Sequence, residues 1–460
     1  MKRVLVANRG EIAVRIIRAC QESGIESVAV YSEADRDSLH AKLADRAVCI
    51  GPPRPGESYL RPETIVQVAI STGCDAVHPG YGFLAENAGF ARMCAENGLI
   101  FVGPSAEVID ELGDKVYGRR LAAAAGIPVV PGTGDKPATY EDLVELGRTG
   151  GYPILIKAAA GGGGRGMRIL HDESEVRANF EDAQAESLSA FGSPVIFGER
   201  FLTRIRHVEV QVIGDHSGNV QHVGTRDCSV QRRYQKVIEE GPASSIPLES
   251  RHRIEADAVK LVSQLGYVGA GTVEFVVDMD TGSHHFIEMN TRIQVEHPVS
   301  EMVSGFDLVR EQLWVADPEN TLSFTQEEVS LRGHAIELRI CAEDPANGFM
   351  PSPGLITELV LPGGPGIRVD THCVPGWKVS PFYDSMIAKL IVHDVDRNHA
   401  IRRALRALDE TTIGGLKTNI EFLKAILGHE DYAANEVHTK WVEEKQGELL
   451  GQRSGQLQPT

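Results

Sequence analysis

The sequence has no apolar run approaching the ~20 residues that a membrane-spanning helix requires, so a transmembrane helix is not expected. An export signal is not expected either, because Met1-Lys2-Arg3 runs directly into Val4-Leu5-Val6-Ala7, an apolar stretch too short for one. Positive charge is scarce. Lys and Arg number 46 against 64 Asp and Glu, giving a formal net charge of −18 at pH 7. A nucleic-acid partner needs a clustered basic surface and is therefore not expected, whereas a small anionic substrate could still occupy a local basic pocket. The seven cysteines (Cys20, Cys49, Cys74, Cys94, Cys228, Cys341 and Cys373) form no CxxC pair and no zinc-ligand spacing. They read as reduced, buried thiols of a reducing compartment, which places the protein in the cytoplasm. What remains is ordinary globular composition, 42% apolar and 24% charged over 460 residues, enough for two or three domains.

The opening reads as a βαβ unit. Val4–Ala7 is a short apolar strand, Asn8-Arg9-Gly10 a turn, and Glu11–Ser23 repeats Ile12, Val14, Ile16 and Ile17 at helical spacing before a second strand at Ser27–Tyr31. The turn lacks G-x-G-x-x-G, so NAD binding is not expected. The segment Leu121–Gly126 ends a helix, and Ile127–Gly132 leaves this domain as a Pro-containing strand. A compact module follows from about 129 to 201, and the chain to about Glu444 reads as a larger α+β domain. Lys445–Thr460 is polar and rich in Gly and Gln, a frayed tail.

Gly161-Gly-Gly-Gly-Arg-Gly166 satisfies G-x-G-x-x-G formally, but Met167–Leu170 looks like a strand where that fingerprint would open a helix. No Gly-Lys-Ser/Thr follows, which removes a Walker loop. A plain flexible loop is one reading; a flap whose backbone amides close over phosphates is the other. Lys157, at the end of Ile154-Leu155-Ile156, favours the flap, since a cation there can meet nucleotide oxygens. Further on, an extended chain from 288 to 296 would send Glu288, Asn290, Arg292, Gln294 and Glu296 to one face and Met289, Ile293 and Val295 to the other. Glu274 interrupts the apolar strand Thr272–Val277, where a lone carboxylate is costly unless paired or metal-bound. Mg²⁺ takes hard oxygen ligands, and Glu274, Glu288 and Asn290 offer them. His207, Glu209 and Gln211 share one face of another strand. The basic segment Gln231–Lys236 reads as a site loop.

Together these segments resemble the biotin carboxylase family of ATP-grasp enzymes. The motifs carrying the resemblance run collinearly from Ala7–Ala13 and His78–Leu84 through Lys157–Arg168, Arg206–Val212 and Asp227–Val237 to Glu288–Pro298. The implied fold is mixed α/β and α+β, an ATP-grasp fold with an N-terminal parallel α/β domain (1–128), a mobile lid (129–201), a C-terminal domain (202–444) and a polar tail (445–460). By the same resemblance, Lys115, Lys157, Gly163, Gly164, the hinge Glu199-Arg200-Phe201-Leu202, His207 and Tyr234 contact ATP. Glu274, Glu288 and Asn290 hold Mg²⁺ or Mn²⁺, two ions in all. Lys236, Arg292, Gln294 and Val295 form the bicarbonate pocket, Glu296 is the base, and Arg339 steadies the biotin enolate. Tyr81 walls the biotin site and Asp384 lies near it. In the hinge, many relatives carry Lys-Tyr where this chain has Arg200-Phe201, with main-chain contacts to adenine expected to persist. Some members have His at the position of Tyr234.

The resemblance further implies a ligase that converts ATP to ADP and phosphate, forming carboxyphosphate from bicarbonate and passing the carboxyl group to biotin. No Met-Lys-Met biotin attachment turn occurs, so biotin is expected on a separate biotin carboxyl carrier protein, with carboxyltransferase subunits completing an acyl-CoA or pyruvate carboxylase, for instance in fatty acid biosynthesis. Arg18 and Glu22 match dimer contacts of relatives, which implies a homodimer. Another ATP-grasp ligase and a catalytically inactive nucleotide-binding subunit stay open as alternatives.

Overall fold

Strands β1 (Arg3–Val6), β2 (Glu26–Tyr31), β3 (Arg46–Cys49), β4 (Ala76–His78) and β5 (Ile100–Phe101) build a parallel sheet in the order β3-β2-β1-β4-β5. The computed structural model describes residues 1–133, 137–159 and 167–451. Buried apolar runs suit strands covered on both faces, and helix α1 (Gly10–Glu22) packs Ile12, Ile16 and Ile17 against the sheet. The strand order reverses at β1, so the loops after β1 and β4 meet at the carboxyl ends, where open α/β sheets place their ligands. Asn8 ties these loops together, donating from Nδ2 to the carbonyls of Pro79 at 2.7 Å and Tyr81 at 2.8 Å. Gly80, with φ +64°, allows that approach: a Cβ there would sit 3.0 Å from Asn8 Nδ2.

Helix α2 (Lys115–Ala124) starts on Asp114, whose carboxylate caps the amides of Val116 and Tyr117. Beyond it, Ile127–Gly132 is not the expected strand. Its backbone makes only isolated bridges, Val129 to Phe286 and Gly132 to Glu199. A separate antiparallel sheet follows, β7-β6-β8, from β6 (Ile154–Ala158), β7 (Met167–Leu170) and β8 (Ile196–Arg200). Helices α3 (Tyr140–Gly150) and α4 (Glu173–Phe191) cover it, and the unit has a hydrophobic core of its own around Leu143, Ile154, Ile156 and Val176. The glycine run, with Gly163 and Gly164, lies outside the described residues.

The remaining chain centres on one eight-stranded antiparallel sheet. Its strands are β9 (Ile205–Gly214), β10 (Val220–Arg232), β11 (Gln235–Gly241), β12 (Gly269–Asp278), β13 (His284–Asn290), β14 (His334–Cys341), β15 (Ile367–Thr371) and β16 (Met386–Asp394), ordered β13-β12-β9-β10-β11-β14-β16-β15. Helix α5 (Leu248–Val262) buries one half of the sheet and α7 (Arg397–Glu410) the other. Between them α6 (His297–Ser304) begins directly after the polar ladder.

Two expectations need correction, and the site-loop reading of 231–236, whose residues Gln231 and Arg233–Lys236 do line the central cavity, becomes more specific. The ladder is not one strand: β13 ends at Asn290 and residues 291–296 turn into α6, because Pro298 lacks an amide donor and suits a first helical turn, not a strand interior. The basic segment at 231–236 is the tip of a β10–β11 hairpin, with Arg233 and Tyr234 at φ +49° and +65° to match the strand twist. Order extends past Lys445, since α8 (Trp441–Leu449) buries Leu449. Residues 452–460 lie outside the description. Of the cysteines Cys49 is exposed and Cys341 half-buried, while the other five are buried; none is in a disulfide. Among the described residues no helix is long and apolar enough to cross a membrane.

Glu301 joins three regions. Its buried carboxylate accepts from Arg15 of α1 at 2.9 Å, from the Leu308 amide at 2.8 Å and from Arg368 of β15 at 2.6 Å. Removing one partner of a buried ion pair leaves the others uncompensated, at ~3–5 kcal/mol. Glu301→Ala is therefore expected to lower the thermal unfolding midpoint clearly, as followed by circular dichroism. An unchanged midpoint would show that Glu301 does not tie these regions together.

Candidate functional site

Register places like charges side by side. Glu209 of β9, Glu274 of β12 and Glu288 of β13 are direct neighbours across adjacent strands, and Arg226 of β10 continues the row. Opposed carboxylates destabilise a sheet unless cations stand between them. Lys236, delivered by the hairpin, sits 2.6 Å from Glu209, 2.5 Å from Glu296 and 3.4 Å from Glu274. Arg226, fully buried, donates to Glu209 at 2.6 Å and to Gln211 at 2.7 Å. His207 Nε2 lies 3.1 Å from Glu274, and Lys115 pairs with Glu288. Burial alone would raise the carboxyl of Glu274, but Lys236 and His207 outweigh it and hold Glu274 below the usual range.

Lys115, His207, Lys236, Glu274 and Glu288 floor a cavity of about 1210 Å³ between the N-terminal sheet, the small β6–β8 unit and the large sheet, with Glu209 and Arg226 buried beneath them. Lys115, Lys157 and His207 line it together with the hinge Glu199–Leu202. Glu199 is buried between Arg119 and Lys157 and pairs with both. The hinge amides of Arg200 and Phe201 already donate to the carbonyls of Pro131 at 2.8 Å and Pro153 at 3.2 Å. Tyr234 is half-exposed at the cavity edge, on the hairpin tip.

The residues expected to meet bicarbonate also line the cavity. Arg292 donates to Glu86 at 2.9 Å, to Gln294 Oε1 at 3.0 Å and to Asn290 Oδ1 at 3.3 Å, while Asn290 and Gln294 both donate to Glu274 Oε1. Val295 lines the cavity, and its carbonyl accepts from Lys389 at 2.7 Å. Glu296 lies behind this wall, wholly buried at the start of α6. One oxygen faces Lys236 and the other accepts from Arg339 Nη2 at 2.9 Å. Burial would raise its carboxyl, yet Lys236, Arg339 and Arg226 together hold it well below the usual range. Tyr81 and Asp384 line the far wall beside Arg339; the Tyr81 hydroxyl donates to Glu11. Every expected site residue among those described thus lines the cavity or, for Glu296, bonds residues that do.

The donor set suits a hard cation. Glu274 and Glu288 face each other in register with Asn290 beside them, oxygen ligands of the kind Mg²⁺ takes together with substrate phosphates. Lys115, Lys236 and His207 now provide the positive charge that these carboxylates require. A second grouping, His207, Glu209 and Glu274, also brings ligand atoms within 4.8 Å of one another.

Several residues escaped sequence reasoning. Glu209 was visible as part of a polar strand face but had no partner to give it a role; register supplies Lys236 and Arg226. Lys389 interrupts the apolar strand Met386–Asp394 just as Glu274 interrupts its own, and is fully buried. That signal was available. Arg226 and Glu239 were visible only as charged flanks of the segment Gln231–Lys236, and Glu337 interrupts the apolar run Ala335–Leu338, but none of them had a partner to give it a role.

Known proteins match the chain along its length. The family model for the biotin carboxylase N-terminal domain covers residues 1–109, that for the carbamoyl-phosphate synthase L chain ATP-binding domain 114–323, and that for the biotin carboxylase C-terminal domain 337–444. Biotin carboxylase 1 of Bacillus subtilis is 51% identical over 443 residues, 96% of this chain and 98% of its own length. Biotin carboxylase of Pseudomonas aeruginosa is 50% identical over 448 residues, 97% of this chain and 99% of its own. The biotin carboxylase domain dimer of Hydrogenobacter thermophilus 2-oxoglutarate carboxylase, solved with MgADP, ADP and bicarbonate, superposes with a TM-score of 0.93 at 45% identity, covering 97% of this chain and 98% of that one. The fold is therefore the ATP-grasp fold of that family.

Lys236 is the common counter-ion, and its removal has a readable sign. Glu274 and Glu296 are depressed by it, so their stabilisation is present above the ordinary carboxylate pKa of ~4.3 and is lost as pH falls through their folded values. In Lys236→Met both carboxyls rise. The variant is expected to melt well below wild type at neutral pH, with the gap narrowing on acidification as its carboxyls take up protons. Thermal midpoints across pH check this; a gap independent of pH would refute the coupling.

Proposed function

The chain belongs to the biotin carboxylase family, and we propose that it uses ATP and bicarbonate to carboxylate biotin through carboxyphosphate at this cavity. The observation carrying the reading is Glu296, a buried carboxylate kept ionised between Lys236 and Arg339 at the edge of an anion pocket. ATP would lie between the hinge Glu199–Leu202 and the large sheet, with Lys115 and Lys157 directed at its phosphates; Gly163 and Gly164 complete the proposal from sequence alone. Glu274, Glu288 and Asn290 would hold Mg²⁺ or Mn²⁺, which supplies charge neutralisation for phosphate oxygens.

Bicarbonate enters as an anion beside Arg292, Lys236, Gln294 and the Val295 backbone, exchanging bimolecular entropy for position. Its arrival also alters Glu296. A carboxylate tied to two cations is a weak base, but a second anion sharing Lys236 raises its proton affinity at the moment a proton must leave bicarbonate. The oxygen so freed attacks the γ-phosphoryl group, giving ADP and carboxyphosphate, whose breakdown releases CO₂ and phosphate. Phosphate then takes the ureido proton of biotin, and Arg339 faces the resulting oxyanion, with Tyr81 and Asp384 bounding the ring. The separately cored module from 129 to 201 would close over the site and exclude water, which destroys the intermediate.

Biotin would arrive on a carrier protein, and carboxyltransferase subunits would consume the carboxylated product. A homodimer is the proposed state, with Arg18 and Glu22 exposed on α1 and free to meet a second copy. The cytoplasm is the proposed location. A carboxylate–amine ligase would need an amine acceptor in place of biotin, and an inactive nucleotide-binding protein would have no use for an ionised Glu296.

Glu296→Gln should abolish bicarbonate-dependent ATP cleavage by ~10²–10⁴-fold while nucleotide affinity persists, the usual cost of losing a general base. Phosphate release with and without bicarbonate, alongside calorimetric ADP binding, measures both. Near-full turnover in the variant would remove Glu296 from the mechanism, and wild-type ATP cleavage indifferent to bicarbonate and biotin would sink the proposed function.

A further inference from the structure

Arg339 is crowded by acid. Its guanidinium donates to Glu239 Oε1 at 2.6 Å and to Glu296 Oε2 at 2.9 Å, so two carboxyl groups already face one cation. A third stands beside them. Glu337 precedes Arg339 by two residues on β14 and so shares its face of the sheet. In the β11–β14 ladder Glu337 is directly opposite Glu239. It is fully buried, and neither of its oxygens has a hydrogen-bond partner; Oε2 of Glu239 has none either.

The neighbouring charges do not resolve this. Lys389 on β16 makes no ion pair with Glu337, its ammonium being occupied by the Val295 carbonyl at 2.7 Å and Glu11 at 3.2 Å, with Asp370 at 3.9 Å. Arg339 is taken by Glu239 and Glu296, and the Tyr81 hydroxyl by Glu11. Two ionised carboxylates directly opposed in a sheet repel, and a buried carboxylate without a partner is strongly unfavourable. A proton removes both difficulties at once. A carboxylic acid gains an O–H donor, and the unpartnered Glu239 oxygen is an acceptor lying across the ladder.

We propose that Glu337 is a neutral carboxylic acid that donates to Glu239, and that by staying uncharged it spares Arg339 a third carboxylate, so that the guanidinium can face the biotin oxyanion. Glu337 is thus a positioning residue acting through Arg339. The inference rests on the carboxylation reading given above. The direction of titration agrees with the geometry. Burial, only partly offset by Lys389 and reinforced by Glu239, pushes Glu337 well above the usual carboxylate range, and burial likewise moves Glu239 to about 7. The proton belongs to the pair, with Glu337 the member that holds it more tightly.

Two variants and one spectrum test the proposal. Glu337→Gln stays neutral and keeps a donor for Glu239; Glu337→Leu keeps the volume and loses the donor. Biotin carboxylation by Glu337→Gln is expected to stay within about threefold of wild type, whereas Glu337→Leu should lose roughly 10-fold or more, in kcat and not in KM, as the orphaned acceptor takes up Arg339. The infrared difference spectrum of wild type against Glu337→Gln, taken without substrates, should show a protonated-carboxyl carbonyl band at neutral pH. A spectrum with ionised-carboxylate bands alone would overturn the proposal, and so would a Glu337→Gln enzyme as impaired as Glu337→Leu. Failure of the wild type to carboxylate biotin would instead strike the proposed function, since the infrared band reports the proton whatever the reaction.

Discussion

Three carboxylates set side by side across adjacent strands govern this structure. Glu209, Glu274 and Glu288 stand directly opposite one another on three neighbouring strands, at a spacing where like charges repel and water cannot easily screen them. Such a row persists only if positive charge is brought to it. Lys236 arrives from a hairpin tip, Arg226 from the neighbouring strand, Lys115 from the N-terminus of a helix in another part of the chain, and His207 from the same strand as Glu209. The site is thus held together by groups from distant points in sequence, each placed to neutralise the row.

The same arrangement explains how a protein of net charge −18 can bind anions. Its cations are concentrated where the buried acids are, and each is shared among several oxygens. Phosphates and bicarbonate entering the cavity compete with internal carboxylates for those cations, so substrate binding is an exchange of partners in place of a bare desolvation. Metal ions fit the same logic, because a divalent cation between Glu274 and Glu288 would take over the neutralising role of Lys115 and His207. A carboxylate that loses part of its cation to a substrate becomes more basic, which is the change that Glu296 would undergo as the proposed base.

Arg339 shows the opposite problem. Where the row needs more positive charge, this guanidinium has too many acids around it, and a proton on the Glu239–Glu337 pair restores the balance. Both devices follow from placing charged side chains on strand faces that a second layer then buries. Pair by pair, the register decides whether a cation or a proton completes the set.

Local pattern was enough to reveal the parallel βαβ start, the isolated Glu274 and the alternation of polar residues after Glu288, because these depend on near neighbours and on side-chain periodicity. It also grouped the motifs that identify the family. It misjudged the end of β13, where Pro298 and the following helix override an alternation that looks extended, and it found the loop at 231–236 without its tight hairpin form, because the positive φ of Arg233 and Tyr234 leaves no mark in residues other than Gly or Asn. What the sequence determined by itself was which residues carry charge into apolar strands. Which of those charges meet was decided only by tertiary structure, because register between strands far apart in the chain is fixed by packing of whole sheets and helices. That is why Glu274 was legible alone, while Glu209 gained its partners, and Glu337 its lack of them, only once the strands lay side by side.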